Sequence, residues 1–220
     1  FLDALFTATS AICVTGLTTV TTSEHWSIFG QSIILLLIEI GGLGFMTIPI
    51  FLFVLMKQKV TLSTRMILRE AFNTEQMSGE IKILLSVLKI AFSIQGIGMV
   101  LLAIRFVPKF GFEKGLWYSL FHAVSSFCNA GFDLFGDSLV GFQNDPWVLM
   151  VISSLIISGG LGFFVWHDLL TMRQNKHRLS LHSQLALQVT GILLLVGVVG
   201  FFITEYNNPH FWTGNSFHRF

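Results

Sequence analysis

Residues 5–16 read LFTATSAICVTG, and residues 120–131 read LFHAVSSFCNAG. At a spacing of 115 residues they agree at Leu5/Leu120, Phe6/Phe121, Ala8/Ala123, Ser10/Ser125, Cys13/Cys128 and Gly16/Gly131. A long apolar stretch follows each, and both stretches carry GGLGF, at residues 41–45 and 159–163. The second spacing is 118, so the intervening loop differs by three residues. Two matched motifs in the same order and the same surroundings point to an internal duplication.

The repeated segments Leu2–Cys13 and Leu116–Cys128 are apolar but short. A helix of about 12 residues covers about 18 Å, roughly half of a hydrocarbon core. Four longer apolar runs surround them, at residues 27–56, 83–107, 147–166 and 185–204, the first interrupted by Glu39. Each is read as one membrane span, which needs roughly 20 residues. A half-length helix between full spans reads as re-entrant. Non-helical backbone at that depth is tolerated only inside protein or along a water-filled cavity. A pore or a buried site is therefore expected at the two glycines.

Composition agrees. Of 220 residues, 53% are hydrophobic and 11% are charged, with 23 Phe, against about a quarter charged in soluble domains. Mean hydropathy is +0.73. A net charge of +1 supplies no basic field for nucleic acid. Cys13 and Cys128 have neither disulfide-framework nor zinc spacing and read as small buried hydrophobes. The start lacks the basic region of a signal peptide, and it opens on Phe1, as a piece of a longer chain does.

Charge sets an orientation. Lys57, Lys59, Arg65, Arg69, Lys82, Lys89, Arg173, Lys176 and Arg178 fall on one side of the spans, and Arg105, Lys109, Lys114 and Arg219 on the other. The richer side is expected to be cytoplasmic, so both half-length helices enter from outside. TRMILREAFNTEQ, residues 64–76, reads as a short surface helix.

The chemistry expected of the repeat is cation binding by backbone. A dehydrated cation exchanges water for protein oxygens, and potassium filters supply rings of carbonyls. Such a loop needs extended backbone with inward carbonyls, and glycine accepts the angles required. The candidate ligands are the carbonyls of Val14, Thr15, Gly16 and Leu17, and of Asn129, Ala130, Gly131 and Phe132. Each short helix aims its partly negative C-terminus at the membrane centre, which favours a cation. The two GGLGF segments read as small-residue packing surfaces against these loops.

Other polar residues are weighed against plainer roles. Glu39 is an intramembrane acid, a functional candidate by position and equally a hydrogen-bond partner for a neighbouring helix. Gln95 reads as an interhelical hydrogen-bond partner. His122 with Ser125, Ser126 and Cys128 has the residue types of a nucleophile and base, but no acid follows on that helix, and helix packing is the preferred reading. His167 and Asp168 read as interfacial.

DALFTATSAICVTGLTTV, EIGGLGFM, FHAVSSFCNAGFDLFGDSL and ISGGLGFF resemble the Trk/Ktr/HKT potassium transporter superfamily, and most of all its bacterial Ktr-type membrane subunit. The resemblance covers essentially the whole chain. It implies an all-α polytopic membrane protein with repeated helix–pore loop–helix units around one pore. Gly16 and Gly131 match the first and second filter glycines. The first helix, the third and fourth filters, the gating segment and the fourth unit's basic residue lie outside this sequence. It also implies potassium uptake, often sodium-linked, across the cell membrane, with no enzymatic activity and no cofactor. The implied partners are a second copy, a cytoplasmic nucleotide-binding regulatory ring and the lipid bilayer.

On this reading residues 1–56 end a first pore unit, 57–82 form a cytoplasmic loop, and 83–166 are a complete second unit. Residues 167–184 form a second cytoplasmic loop, and 185–220 start a third unit. Two rivals are an aquaporin-like channel and an intramembrane hydrolase. The first aims helix N-termini with Asn-Pro-Ala at its pore, whereas no Pro follows Asn129. The second needs one centre, whereas the repeat supplies Ser10 and Cys13 with Thr7 in place of His122.

Overall fold

The computed structural model describes residues 1–44, 80–175 and 179–206. All regular structure among these is helical, with no strand. The helices are α1 (Leu2–Ile12), α2 (Thr22–His25), α3 (Ile28–Gly42), α4 (Glu80–Phe110), α5 (Phe112–Phe127), α6 (Pro146–Gly160), α7 (Phe163–Asn175) and α8 (Leu181–Glu205), with a 3-10 turn at Val140–Phe142. The expected surface helix at 64–76 and the remainder of the first span, residues 45–56, lie outside the described residues.

Side-chain caps start α3, α6 and α8. The Ser27 hydroxyl accepts from the Gly30 N–H at 3.3 Å. The duplicated position, Asp145, accepts from the N–H groups of Trp147 and Val148 at 3.1 and 3.4 Å, with Pro146 as first helical residue. Ser180 caps α8 by accepting from the Ser183 N–H.

Among the described residues, two helices are long and apolar enough to cross a membrane, over Ser86–Phe110 and Leu181–Glu205. The apolar run at 147–166 is expected to be a single span, and here the structure differs; of the run at 27–56 only residues 27–44 are described, and within them the helix also stops. α3 ends at Gly42 and α6 at Gly160. Gly44 and Gly162 follow with φ of +83° and +84°. The N–H of Gly44 returns to the Gly41 carbonyl, and that of Gly162 to the Gly159 carbonyl. This is the left-handed helix stop that glycine makes readily. After it the chain at 163 begins a new helix, α7.

α5 lies at the centre, packed against α4, α6 and α3, while α1 packs on α3, and α7 joins α4 to α8. Phe106, Phe121, Leu102, Ile38 and Val148 are fully buried between them. Phe106, Phe110, Tyr118, His122, Phe135 and Phe142 form one aromatic cluster, with the His122 and Phe135 rings stacked at 4.2 Å. The side chains of α8 are largely exposed, among them Leu195, Val198, Phe201 and Ile203.

Candidate ion site

The two repeated segments fold alike to the level of single hydrogen bonds. α1 and α5 are the short helices; α5 starts at Phe112, four residues before the expected Leu116, and its 16 residues cover about 24 Å. Cys13 and Cys128 are their C-caps. Beyond them Val14 and Asn129 are left-handed, with φ of +56° and +57°. The Val14 N–H bonds the Ala11 carbonyl and the Thr15 N–H the Ser10 carbonyl, at 3.2 and 3.0 Å. The Asn129 N–H bonds Ser126 and the Ala130 N–H bonds Ser125, at 3.1 and 2.8 Å. Both ends are full Schellman motifs. Asn accepts this conformation, whereas β-branched Val resists it, at a cost of about 1–2 kcal/mol.

Gly16 and Gly131 are left-handed again, at +71° and +73°. The loops are therefore not simply extended, as the sequence reading expected. Left-handed residues occupy the first and third positions of VTG and NAG, and the middle residues Thr15 and Ala130 are not left-handed.

The structure brings the two loops together. A methyl group on Gly16 would lie 2.5 Å from the Ala130 carbonyl oxygen and 3.1 Å from the Gly131 Cα. A methyl on Gly131 would lie 3.4 Å from the Gly16 Cα. Residues 115 apart in sequence thus meet backbone to backbone. Thr15 and Leu17 are exposed, as are Asn129 and Gly131, whereas Ala130 and Phe132 are buried. A cavity of about 250 Å³ opens beside the second loop, lined by Ser125, Ser126, Asn129, Gly131, Asp133 and Ser138 among others.

The GGLGF segments back these loops. A methyl on Gly41 would sit 2.1 Å from the Ile12 carbonyl oxygen, and one on Gly159 would sit 1.7 Å from the Phe127 carbonyl oxygen. The packing role read from the motif holds, and its tight member in the second copy is Gly159; a methyl on Gly160 would come no closer than 4.0 Å, to the Asn129 side chain.

Several side chains hold the second loop in ways the sequence did not disclose. The Ser125 hydroxyl donates to the Phe132 carbonyl at 2.7 Å. The Leu134 N–H donates to His122 Nε2, so Nδ1 carries the proton and donates to the Tyr118 carbonyl at 2.7 Å. Asp133 accepts from the N–H groups of Phe135, Gly136 and Ser138. Helix packing was the expected role of His122 and Ser125; they tether residues 132–134. Their spacing of three, on the face leading into the loop, was the available signal. With the hydroxyl and both ring nitrogens engaged, neither forms the pair a hydrolase needs.

Glu39 and Gln95, read separately from sequence, are partners: Gln95 Nε2 donates to both Glu39 oxygens, at 3.1 and 3.0 Å. No group of three or more His, Cys, Asp or Glu suited to a metal occurs among the described residues. Asp168 lies beyond the apolar part of its run. It accepts from the hydroxyls of Ser180 and Ser183, the latter at 2.5 Å.

Described residues that are all helical, with long apolar helices and two paired helix ends, define in class an α-helical membrane protein. The chain belongs to the TrkH family of cation transport proteins, whose profile matches residues 1–208. It is 58% identical over 207 residues to the potassium/sodium uptake protein NtpJ of Enterococcus hirae, covering 94% of this chain and 46% of that protein. It is 43% identical to the Ktr system potassium uptake protein B of Bacillus subtilis, covering 95% of this chain and 47% of that one. The protein of the same name in Vibrio alginolyticus is 41% identical, with 94% and 46% covered. The chain spans about half the length of the curated relatives it matches.

Proposed function

We propose that this chain forms half of a potassium pathway in the cell membrane, with the carbonyls of residues 14–17 and 129–132 as ion ligands. The observation that carries the reading is the meeting of two backbone segments with the same left-handed pattern at Gly16 and Gly131. Left-handed residues at alternate positions turn peptide planes in a way that side-chain-driven helices and strands do not, and they free carbonyls for a ligand. The negative ends of two helix dipoles converge there, which favours a cation without any acidic side chain. Discrimination then depends on the number and field of the oxygens. Within the set, the Phe132 carbonyl already accepts the Ser125 hydroxyl, so its part is a shared one.

On this reading residues 1–56 end one pore unit, 83–166 form the next, and 185–220 begin a third, with loops 57–82 and 167–184 in the cytoplasm. The names of the relatives support potassium uptake, and that of the Enterococcus protein supports sodium as a second or coupled ion. The phrase Ktr system supports a membrane subunit working with a separate regulatory component. A homodimer on a nucleotide-binding ring follows from the family resemblance.

The test is potassium uptake by the full-length protein in cells lacking other potassium uptake, with sodium as competitor. Saturable potassium uptake above that of cells carrying the empty vector is expected. Its absence at normal membrane levels of the protein overturns the reading.

A further inference from the structure

We propose that Glu39 is a positioning residue for ion selection, holding the second loop through the thiol of Cys128. The inference rests on residues 129–132 being part of the ion path. Cys128 caps α5 and immediately precedes left-handed Asn129, so a shift of Cys128 moves the peptides of Asn129, Ala130 and Gly131. Cys128 is held from outside its own helix. Its thiol donates to Glu39 Oε2 at 3.7 Å, and Gln95 Nε2 lies 4.0 Å from the same sulfur. Gly42, one turn beyond Glu39 on α3, is pressed against it: a methyl there would lie 2.4 Å from both Cβ and Sγ of Cys128.

Glu39 therefore accepts from two other helices, twice from buried Gln95 of α4 and once from the cap of α5. An ionisable group inside an apolar span is costly and marks a functional position. The duplication supplies a control. At the spacing of 118 the residue matching Glu39 is Ile157, yet Leu161 and Gly162 end α6 as Leu43 and Gly44 end α3. The carboxylate is thus no requirement of the GGLGF turn. It is specific to the contact between the first and second units, where the partner is the residue that sets the second loop.

The experiment uses the full-length protein in cells lacking other potassium uptake. It reads the KM for potassium, the competition by sodium and the maximal rate per membrane protein. Glu39→Gln and Cys128→Ala are each expected to lower potassium preference about tenfold, the size of one buried hydrogen bond, with the maximal rate retained. Cys128→Ser keeps a donor and is expected to keep the preference. The double variant Glu39→Gln/Cys128→Ala is expected to be no worse than the poorer single. Unchanged preference in Cys128→Ala, or Cys128→Ser behaving as Cys128→Ala, overturns the proposal; this pair decides alone if Glu39→Gln does not reach the membrane. Gly131→Ser is measured beside them. If it loses preference while Glu39→Gln and Cys128→Ala keep it, the clamp is wrong and the carbonyl reading stands. If all keep it, both fall.

Discussion

Gly16 and Gly131 occupy matching places and yet differ in what a side chain would meet. At Gly131 a Cβ finds only the Gly16 Cα, at 3.4 Å. The cost of Gly131→Ser is then the left-handed backbone, about 1–2 kcal/mol. At Gly16 a Cβ would strike the Ala130 carbonyl at 2.5 Å, so one loop must move. Gly131→Ser is expected to reach the membrane and to lose about tenfold in potassium over sodium preference, equivalent to about 1.4 kcal/mol at the ion. Gly16→Ser is expected to lower the folded protein as well. Uptake competition normalised to membrane protein separates the two, and equal yields with unchanged preference for both contradict the assignment. Gly159 and Gly160 form a similar pair. A methyl on Gly159 overlaps the Phe127 carbonyl, and overpacking of a tight contact costs typically about 1–3 kcal/mol. Gly159→Ala is expected to lower the thermal midpoint of the purified protein, and Gly160→Ala to leave it unchanged. The glycines at 16 and 131 were legible because a repeat singles out the letters it keeps. The left-handed Val14 was not, because its residue type argues against that conformation. Nor was the division between Gly159 and Gly160, since which of two adjacent glycines faces a neighbour depends on helix rotation and not on the motif.

The short helices were legible as elements, because an apolar run too short to span is visible in the sequence alone. The breaks after α3 and α6 were not, although their signal was present. Hydropathy reads straight through GGLGF, whereas a glycine just past the helix end reverses the backbone hand and stops it. At the far end, α7 and α8 are joined by Asp168, whose carboxyl accepts hydroxyls from the capping Ser180 and from Ser183. Desolvation pushes this carboxyl up, and the two serine hydroxyls, with the charge of His167, outweigh that and hold it below its ordinary value of 3.8. A carboxyl lowered in the folded state contributes stability that is present above its ordinary value and is lost as pH falls through the lowered one. Asp168→Asn is therefore expected to lower the thermal midpoint slightly at pH 6, and the gap to close as the pH drops below 3.8. A gap that persists or widens in acid places the effect elsewhere.

At the scale of the whole molecule, family, helical class and membrane location were legible, because duplication, hydropathy and motif order all survive in one chain. The meeting of Gly16 with Ala130 and Gly131 was not, since no pattern within either segment encodes how two helix ends face each other. The basic residues predict that the loop from Lys57 to Lys89 is cytoplasmic and that Gly131 is reached from outside. In a cysteine-free background an impermeant thiol reagent applied to whole cells is expected to label Ser138→Cys and to spare Ser78→Cys. Labelling of Ser78→Cys from outside reverses the orientation. The central claim is that backbone carbonyls of two paired loops bind the ion. Its most direct measurement is anomalous scattering from crystals of the full-length protein grown in rubidium, a heavier stand-in for potassium. The account predicts an ordered peak within coordination distance of carbonyl oxygens from both 14–17 and 129–132, between Gly16 and Gly131. A well-ordered ion held instead by side chains such as Glu39 or Asp133, with the two loops bare, would contradict it.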